Sequence, residues 1–486
     1  MPAPEDRRPA VSRSARAGGL ALALALGACA ADGAVRSSPV PVAAPRVTGT
    51  ARAADRDHSA LVASFGGEYR APALKALLDE VVARLVPATD RPGESYEATI
   101  LDSPKVNAFA LPSGRLYVTR GLLALASDSS ELAAVVAHEI AHVSLRHASL
   151  RGEAEARSVL VSRVVSDVLG DPAAGAAFRD QARSSLAGFS RSQEIEADRA
   201  GVATIAAAGY DPHAAARFLR SLGRDAAADA RDAGGAWQDG LASHPATAER
   251  VAVATAAARR VGADGLGTRD RARYLAALDG LAFGDRPADG MVRGRAFLHP
   301  RLGVALRAPE GMALENTARA LLGVSADGRT RLLFDAVEAP DGQSLQELLA
   351  ASWTDAIEPG SLRTRLLGDR PVAFAASRGR DWSFRLAALR IGPTTYRLIL
   401  AGRGSRSDLD GQLEQTLASL RELGPEEAAG LRPLRVVSVE AGPEDTAERL
   451  AARMATDRLL DRFLILNGLE PGERLRPGQS YKLVVE

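Results

Sequence analysis

The chain of 486 residues contains one cysteine, only three lysines and few aromatic residues, and its charges balance. A single cysteine, Cys29, excludes a disulfide within the chain. With 61 Lys+Arg against 60 Asp+Glu, the chain lacks the basic field that would attract nucleic acid, so we predict no nucleic-acid partner. No run of about 18 apolar residues follows Cys29, so we expect no membrane-spanning helix there. The length favours two or three domains.

The start of the chain has the pattern of an export signal. An arginine-rich opening precedes an apolar stretch, Gly18–Ala28, that is too short to span a bilayer. The stretch ends in Leu-Gly-Ala before Cys29, which resembles a bacterial lipobox and implies cleavage before Cys29 and acylation of its thiol. A plain secretory signal with an incidental cysteine is the alternative. We therefore predict a lipoprotein signal at 1–29, a flexible tether at 30–54 and a lipid-anchored protein of the cell envelope. In a Gram-negative host, Ala30 predicts the periplasmic face of the outer membrane.

Residues 55–260 are mainly helical in pattern. Helical apolar spacing is clear in Leu74–Val86. The turn Pro112-Ser113-Gly114 predicts a hairpin between the last two of three short strands. These strands are predicted at Glu97–Leu101, Val106–Ala110 and Leu116–Val118. The helix that follows begins with Asp128-Ser129-Ser130-Glu131, which is a capping-box pattern.

The remainder of the chain divides by composition. Stretches rich in Gly and Asp predict a linker at 261–290, and alternating apolar runs between helical segments predict a small α+β domain at 291–425. This domain resembles a Mog/PsbP-like sandwich and contains no chemistry that we can assign. Gly424-Pro425-Glu426-Glu427 separates it from a last module.

The last module, residues 434–486, has the order strand, helix, helix, strand. Its segments Glu444–Ala452, Leu466–Leu469 and Leu475–Gln479, with a closing strand, resemble a LysM module. That resemblance implies binding of N-acetylglucosamine-containing glycans such as peptidoglycan. However, Gly-Pro-Glu-Asp-Thr at 442–446 departs from the usual Gly-Asp-Thr. A folded packing module without a glycan is therefore the alternative.

The strongest chemical motif is His138-Glu139-Ile140-Ala141-His142. On a helix, two His four residues apart lie on one face, one turn apart, and their imidazoles can converge on one Zn²⁺. Glu139 then reaches the open coordination position, where a carboxylate can take a proton from water. The alternative is a helix with two incidental surface His. Because the motif lies on a capped helix with an apolar face, we predict one zinc ion per chain.

A catalytic zinc needs a third protein ligand, and the segment around Glu194 supplies it. Glu194 and Asp198 lie four residues apart on a predicted helix and so share a face, whereas Glu196 points away. Glu194 could therefore bind zinc while Asp198 reaches a ligand His or the substrate oxyanion. Read without the His motif, the same cluster is a solvated acidic turn. His147 is predicted at the surface or a helix end, because it lies off the ligand face.

These motifs, with Asn-Ala-Phe-Ala-Leu-Pro-Ser-Gly-Arg-Leu-Tyr-Val from residue 107, resemble the HtpX/BepA-like zinc metallopeptidases, which are relatives of the CAAX prenyl protease. The resemblance covers about 60–260 and implies a gluzincin fold in which Glu194 is the third ligand and Asp198 a proton donor or a partner of a ligand. It also implies that His244, before Pro245, can approach and block the metal; a loop-capping His is the alternative. An edge strand that would bind substrate backbone is expected at Asn107, Ala108, Phe109 and Ala110.

The sequence thus predicts an α+β multidomain protein: a mainly helical gluzincin protease domain with an edge-strand hairpin, a small α+β domain and a βααβ LysM-like module. We predict a zinc endopeptidase that cleaves misfolded or stalled envelope proteins, with Glu139 and Asp198 as catalytic residues and His138, His142 and Glu194 as metal ligands. A non-enzymatic assembly chaperone or peptidoglycan-binding scaffold is the rival hypothesis. The intact Glu139 argues against that rival, because a scaffold has no use for a base there.

Overall fold

The computed structural model describes residues 51–153, 172–232 and 244–486, apart from short gaps at 318–319, 341, 352, 354–356 and 405–407. The predictions for the signal segment, for Cys29 and for most of the tether lie outside the described residues. Within the described part of the chain, no helix is long and apolar enough to cross a membrane. A helix begins at Ala51, so the predicted tether is wrong for its last four residues.

The described residues between 51 and 261 are mainly helical, as predicted. Its helices are α1 (Ala51–Ser64), α2 (Pro72–Leu85), followed by a 3-10 turn (Val86–Ala88), α3 (Arg120–Leu125), α4 (Ser129–Ser144), α5 (Pro172–Ala207), α6 (Ala214–Asp232) and α7 (Ala248–Val261). Its strands are β1 (Glu97–Leu101), β2 (Ala108–Ala110) and β3 (Arg115–Thr119). They form a sheet in the order β1-β3-β2, with β3 parallel to β1 and antiparallel to β2. Strand β2 therefore lies at one edge.

Helices α2 and α4 bury their apolar faces with this sheet in one core. Pro72 opens α2 with a φ suited to the first helical turn, and apolar residues at helical spacing then line its buried face. Asp128 caps α4 by accepting the Glu131 N–H at 2.9 Å, as predicted. The Glu131 carboxylate in turn accepts the Ser127 N–H at 2.9 Å, one residue before the position of a standard capping box. The start of the helix that carries the His motif is thus fixed by two hydrogen bonds.

The predicted hairpin is confirmed as β2–β3, and its turn needs a glycine. Gly114 has φ +81°, and a Cβ atom at this position would lie 2.4 Å from the Ser95 carbonyl oxygen. A larger residue would therefore be strained and would clash with the backbone. The register pairs Phe109 with Tyr117, so both aromatic rings lie on one face and stack at 4.9 Å. That face packs against Leu61 and Val62 of α1 and against Phe65, the residue that follows this helix.

The linker predicted at 261–290 is wrong, because most of this segment is folded. It contains α8 (Arg271–Leu278) and β4 (Leu281–Phe283), with a 3-10 turn at Pro287–Asp289. Tyr274, Leu275 and Leu278 are buried in the same core as α2, and the Tyr274 hydroxyl donates to the Leu123 carbonyl at 2.7 Å. Glycine and aspartate therefore mark the turns around a short amphipathic helix here, not a mobile connection.

The described residues from 291 to 430 contain both strands and helices, which agrees with the α+β content predicted for 291–425. Its strands are β5 (Met291–Arg293), β6 (Ala296–His299), β7 (Val304–Arg307), β8 (Met312–Asn316), β9 (Ala320–Ser325), β10 (Thr330–Val337), β11 (Arg363–Leu367), β12 (Arg370–Arg378), β13 (Trp382–Ile391), β14 (Thr394–Arg403) and β15 (Arg421–Glu422). Its helices are α9 (Leu345–Ala351), α10 (Leu409–Ser419) and α11 (Pro425–Gly430). The sheets have the orders β11-β12-β13-β14-β10-β9-β8 and β15-β7-β6-β5. All neighbouring strands in both sheets are antiparallel.

The large sheet of this domain is buried on both faces. One face packs against the smaller sheet and α10, with Phe334 and Leu398 meeting Phe297 and Leu413. The opposite face packs against α9. Strands covered on both sides need apolar residues at consecutive positions, which explains the unbroken apolar runs in β12 and β13.

The C-terminal module, residues 434–486, has the predicted order of elements: β16 (Leu434–Glu440), α12 (Ala447–Ala451), α13 (Leu459–Asn467) and β17 (Ser480–Val485). Strand β4 pairs with β16 and extends the sheet to the order β17-β16-β4. The segment predicted as a linker therefore supplies a strand to this module.

A buried lysine joins the C-terminal module to the helical part. The Lys482 ammonium donates to the carbonyl oxygens of Ala124, Leu125 and Ala126 at 2.8, 3.0 and 2.7 Å. These carbonyls end α3, where helical hydrogen bonding leaves acceptors unused and the helix dipole favours a cation. Arg271 adds a second bridge, donating to the carbonyls of Ser127 and of Ser480 on β17.

We expect Lys482→Met to destabilise the fold by about 2–4 kcal/mol, because it leaves three buried carbonyls without their donor. Chemical denaturation followed by circular dichroism measures this change. Lys75→Met is the matched control: Lys75 is half-exposed in an i,i+4 ion pair with Asp79, so its loss should cost under about 0.5 kcal/mol. Equal effects of the two substitutions would contradict a structural role for Lys482.

Candidate metal centre

Helix α4 presents the two motif histidines on one face, one turn apart. The Nε2 atoms of His138 and His142 lie 3.0 Å from each other. Glu139 is buried beside them. Burial raises the pKa of Glu139, and the nearby His244 and His138 partly offset that rise. Glu139 is therefore a buried carboxyl group directly beside the histidine pair.

Helix α5 crosses α4 and brings Glu194 to the two histidines. Its carboxylate oxygens lie 3.4 Å from His138 Nε2 and 3.5 Å from His142 Nε2. Gly201 makes the close crossing possible, since a Cβ atom there would lie 3.3 Å from the His138 backbone nitrogen. Although burial opposes ionisation, contacts with His138 and His244 lower the pKa of Glu194. Glu194 is therefore a carboxylate directed at the histidine pair.

His244 completes the cluster from the segment before α7. Its Nδ1 atom lies 2.9 Å from both oxygens of Glu194 and 3.5 Å from His138 Nε2. Its Nε2 atom lies 3.8 Å from Glu139 Oε1.

The four side chains fit a tetrahedral metal ion. One ligand atom each from His138, His142, Glu194 and His244 lies within 4.8 Å of all the others. A tetrahedral zinc site with bonds of about 2.0–2.1 Å has ligand atoms about 3.3 Å apart. The closest atom pairs given above, at 2.9–3.5 Å, bracket that value. Two to three imidazoles and one carboxylate are also the donor types that zinc accepts.

Asp198 and Arg250 form a second layer around these ligands. Asp198 Oδ1 lies 3.0 Å from His138 Nδ1, and Arg250 donates to both oxygens of Asp198 at 2.7 Å. Arg250 also lies 3.0 Å from Glu194 Oε2 and donates to the Pro245 carbonyl. Of the two roles considered for Asp198, contact with a ligand His therefore matches its position, since Arg250 engages both of its oxygens.

Arg250 is the residue whose role the sequence analysis missed. It is buried, and it connects Asp198, Glu194 and the backbone that carries His244. A buried arginine always needs acidic partners, but sequence spacing does not indicate which ones. The signal available was its position just after the His244-Pro245 pair, at the start of α7.

His147 was predicted at the surface or at a helix end. The surface position is wrong, because only 1% of this residue is exposed, whereas its place just past the end of α4 agrees with the second alternative. Helix α4 ends at Ser144, and Arg146 adopts a left-handed conformation with φ 57°. This turn brings His147 back over the helix end, where its Nδ1 atom lies 2.9 Å from His142 Nδ1. Glu196 points out of the cluster, as expected, but its Oε2 atom lies 3.4 Å from His147 Nε2.

The predicted substrate strand lies beside α4, the helix that carries the motif histidines. Strand β2, which contains Ala108, Phe109 and Ala110, contacts α4, and Asn107 pairs its backbone with Thr119. Among the described residues, no strand pairs with the outer edge of β2. An extended peptide could therefore add to the sheet there.

Two helix-borne histidines with an intervening glutamate, and a further glutamate from a crossing helix, define the class of metal-dependent hydrolases with an HExxH motif. In agreement, the model of peptidase family M48 matches residues 72–258. Mitochondrial metalloendopeptidase OMA1 of Arabidopsis thaliana is 34% identical over 164 residues, which are 32% of this chain and 30% of the relative. Beta-barrel assembly-enhancing protease of Escherichia coli (strain K12) is 29% identical over 160 residues, which are 31% of this chain and 33% of the relative.

The chain thus spans about a third of the length of these curated relatives. A solved structure, cyanobacterial PsbP (CyanoP) from Synechocystis sp. PCC 6803, is similar with a TM-score of 0.22 and 12% identity, over 26% of this chain and 91% of that one. A TM-score this low carries no argument about fold or function.

Proposed function

We propose that this chain is a zinc-dependent endopeptidase of the bacterial cell envelope. The observation that carries the proposal is the convergence of His138, His142 and Glu194 on one point with Glu139 beside it. The experiment that tests it is to measure zinc per chain and casein cleavage for the purified protein. One zinc per chain together with metal-dependent cleavage supports the proposal, and a purified protein that binds no zinc overturns it.

In the proposed mechanism, the chain supplies a proton acceptor and a binding strand. A bound zinc ion would polarise the scissile carbonyl and lower the pKa of the attacking water. Glu139 accepts the proton of that water and delivers it to the leaving amine. The outer edge of β2 holds the substrate backbone extended beside α4. Asp198, fixed by Arg250, holds the imidazole of His138 in its orientation.

For substrates, we propose misfolded or stalled envelope proteins. An edge strand recognises backbone and so accepts many sequences, provided that the segment is unfolded. The name of the Escherichia coli relative, which refers to β-barrel assembly, supports an envelope setting. The rival is a non-enzymatic chaperone or scaffold, and a protein that binds zinc and unfolded chains without cleaving them would favour it.

Two glutamates on α5 give opposite predictions for the metal. We expect Glu194→Ala to weaken zinc binding by more than about 100-fold, because it removes a ligand and not merely a residue that holds one. Glu196→Ala should keep one zinc per chain, since the Glu196 side chain is 61% exposed and points out of the cluster. Elemental analysis after gel filtration measures both. Equal metal loss would refute the assignment of Glu194.

For localisation, we propose a lipid anchor at Cys29, on the periplasmic face of the outer membrane in a Gram-negative host. Cys29→Ser is expected to release the protein from membranes or to leave it unprocessed, because the acylated thiol is lost. Fractionation of cells that express either form measures this. Wild-type protein in the soluble fraction would contradict an anchor.

Peptidoglycan binding by the C-terminal module stays a prediction. Contacts with the helical part favour the alternative of a packing module: Leu469, at the start of the loop between α13 and β17, accepts a hydrogen bond from Arg224, and Asp225 pairs with Arg462. A pull-down with insoluble peptidoglycan separates the two roles. Retention of the chain on the glycan would establish binding despite this packing.

A further inference from the structure

His147 lies against the ring edge of His142 that faces away from the candidate metal ligands. The Nε2 atom of His142 faces His138 and Glu194, whereas its Nδ1 atom lies 2.9 Å from His147 Nδ1. The backbone of His147 is held as well, because the Gln193 amide donates to its carbonyl at 3.0 Å. Two consecutive residues of α5 therefore have different contacts: Gln193 binds the backbone of His147, and Glu194 reaches the candidate metal ligands.

The protons on these rings follow from the chemistry of metal binding. A histidine binds zinc through a nitrogen lone pair, so Nε2 of a ligating His142 carries no proton and Nδ1 does. Two nitrogens at 2.9 Å share one proton, so His147 Nδ1 accepts it. The proton of neutral His147 then lies on Nε2. This atom makes no hydrogen bond within the described part of the chain, but the Glu196 carboxylate oxygen Oε2 lies 3.4 Å from it.

We propose that His147, backed by Glu196, is a positioning residue that fixes the Nδ1–H tautomer of His142 and directs its Nε2 lone pair at the metal. This inference rests on the proposed metal site. His138 has a similar neighbour, since its Nδ1 atom lies 3.0 Å from Asp198 Oδ1, although this contact lacks hydrogen-bond geometry. Each motif histidine therefore has a dedicated partner behind it: a buried carboxylate for His138 and a second imidazole for His142.

The two contacts of His147, one with His142 and one with Glu196, differ in strength; together we call them the relay. The contact between His142 and His147 is short and buried, whereas the contact with Glu196 is long and its carboxylate is largely exposed to solvent. Exposed charges interact weakly because water screens them. Loss of His147 should therefore weaken metal binding much more than loss of the Glu196 charge.

The test is the zinc dissociation constant of the purified chain, measured by competition with a chelator. We expect His147→Leu to raise it by about 10–100-fold, the usual effect of removing a partner that orients a ligand. His147→Gln, whose amide oxygen can accept the same proton, should recover most of the affinity. The absorption spectrum of the Co²⁺-loaded protein should shift in His147→Leu and return towards the wild-type spectrum in His147→Gln.

If His147 only fills space, both substitutions will lower the melting temperature of the metal-free protein but leave the zinc dissociation constant and the Co²⁺ spectrum unchanged, which overturns the proposal.

Should His147→Leu not fold, Glu196→Lys tests the same relay from an exposed position, with an expected affinity loss of about 3–10-fold from the reversed charge. Asp90→Lys, an exposed residue on the loop after α2, controls for net charge. An unchanged constant in Glu196→Lys would also overturn the relay. A wild-type chain that binds no zinc overturns the proposed function as well.

Discussion

Replacing Glu139 with Gln is expected to lower peptide hydrolysis by about 10²–10⁴-fold while one zinc per chain stays bound. Glutamine keeps the shape of the side chain but cannot accept a proton. Glu139 is also not one of the four residues whose atoms converge as candidate ligands. The substitution should therefore remove the base without disturbing the metal. Casein cleavage and elemental analysis of the same preparation measure the two quantities together.

His142→Ala is the informative companion to Glu139→Gln, because it removes a ligand and should lose both zinc and activity. The pair separates a defect in proton transfer from a defect in metal binding. Normal cleavage by Glu139→Gln would refute the mechanism. A wild-type protein that holds zinc, never cleaves and protects unfolded chains from aggregation would support the scaffold hypothesis instead.

Helical periodicity made the metal cluster predictable. His138 and His142 converge because four residues make about one turn, and Glu194 and Asp198 share a face of α5 for the same reason. What brought these two pairs together in the prediction was the need of a catalytic zinc for a third ligand, followed by the resemblance to a known family, since the periodicity of two separate helices does not show that they cross. The crossing itself depends on Gly201, which lies a turn beyond the acidic pair.

The second layer could not be predicted, because it depends on tertiary contacts. His147 was placed by extending the helix of the motif, but Leu145 and Arg146 form a turn that interrupts the helix, and Arg146 has a left-handed backbone conformation. No pattern in the sequence requires a left-handed arginine there. Arg250 likewise depends on how α7 packs against α5. Its partners Asp198 and Glu194 lie more than fifty residues away along the chain.

The linker error had a different origin. The prediction gave more weight to the glycines and aspartates of 261–290 than to the helical spacing of Tyr274, Leu275 and Leu278. About one and a half turns of helix are enough to bury these three side chains. Strand β4 is only three residues long and gains its stability from β16, about 150 residues later in the chain. Alternation within so short a strand carries almost no signal, so its pairing is visible only in the folded structure.

The second large effect is expected at His244, whose substitution should increase activity. A catalytic zinc needs three protein ligands and one open position for water. His244 Nδ1 lies 2.9 Å from both oxygens of Glu194 and 3.5 Å from His138 Nε2, so its imidazole takes the corner that water would need. The proposed resting state is therefore self-inhibited. His138, His142 and Glu194 remain to hold the ion when His244 leaves.

We expect His244→Ala to raise basal casein cleavage up to about tenfold and to keep one zinc per chain. An imidazole that favours the closed position by about 1.4 kcal/mol keeps roughly nine sites in ten closed, so its removal frees that fraction. Self-cleavage of the purified chain should increase in parallel. His299→Ala, the same substitution in β6 of the α+β domain, is the matched control and should leave the rate unchanged. If His244 instead caps α7 or binds substrate, the zinc-replete variant will cleave at the wild-type rate or more slowly, and self-inhibition by this imidazole is refuted.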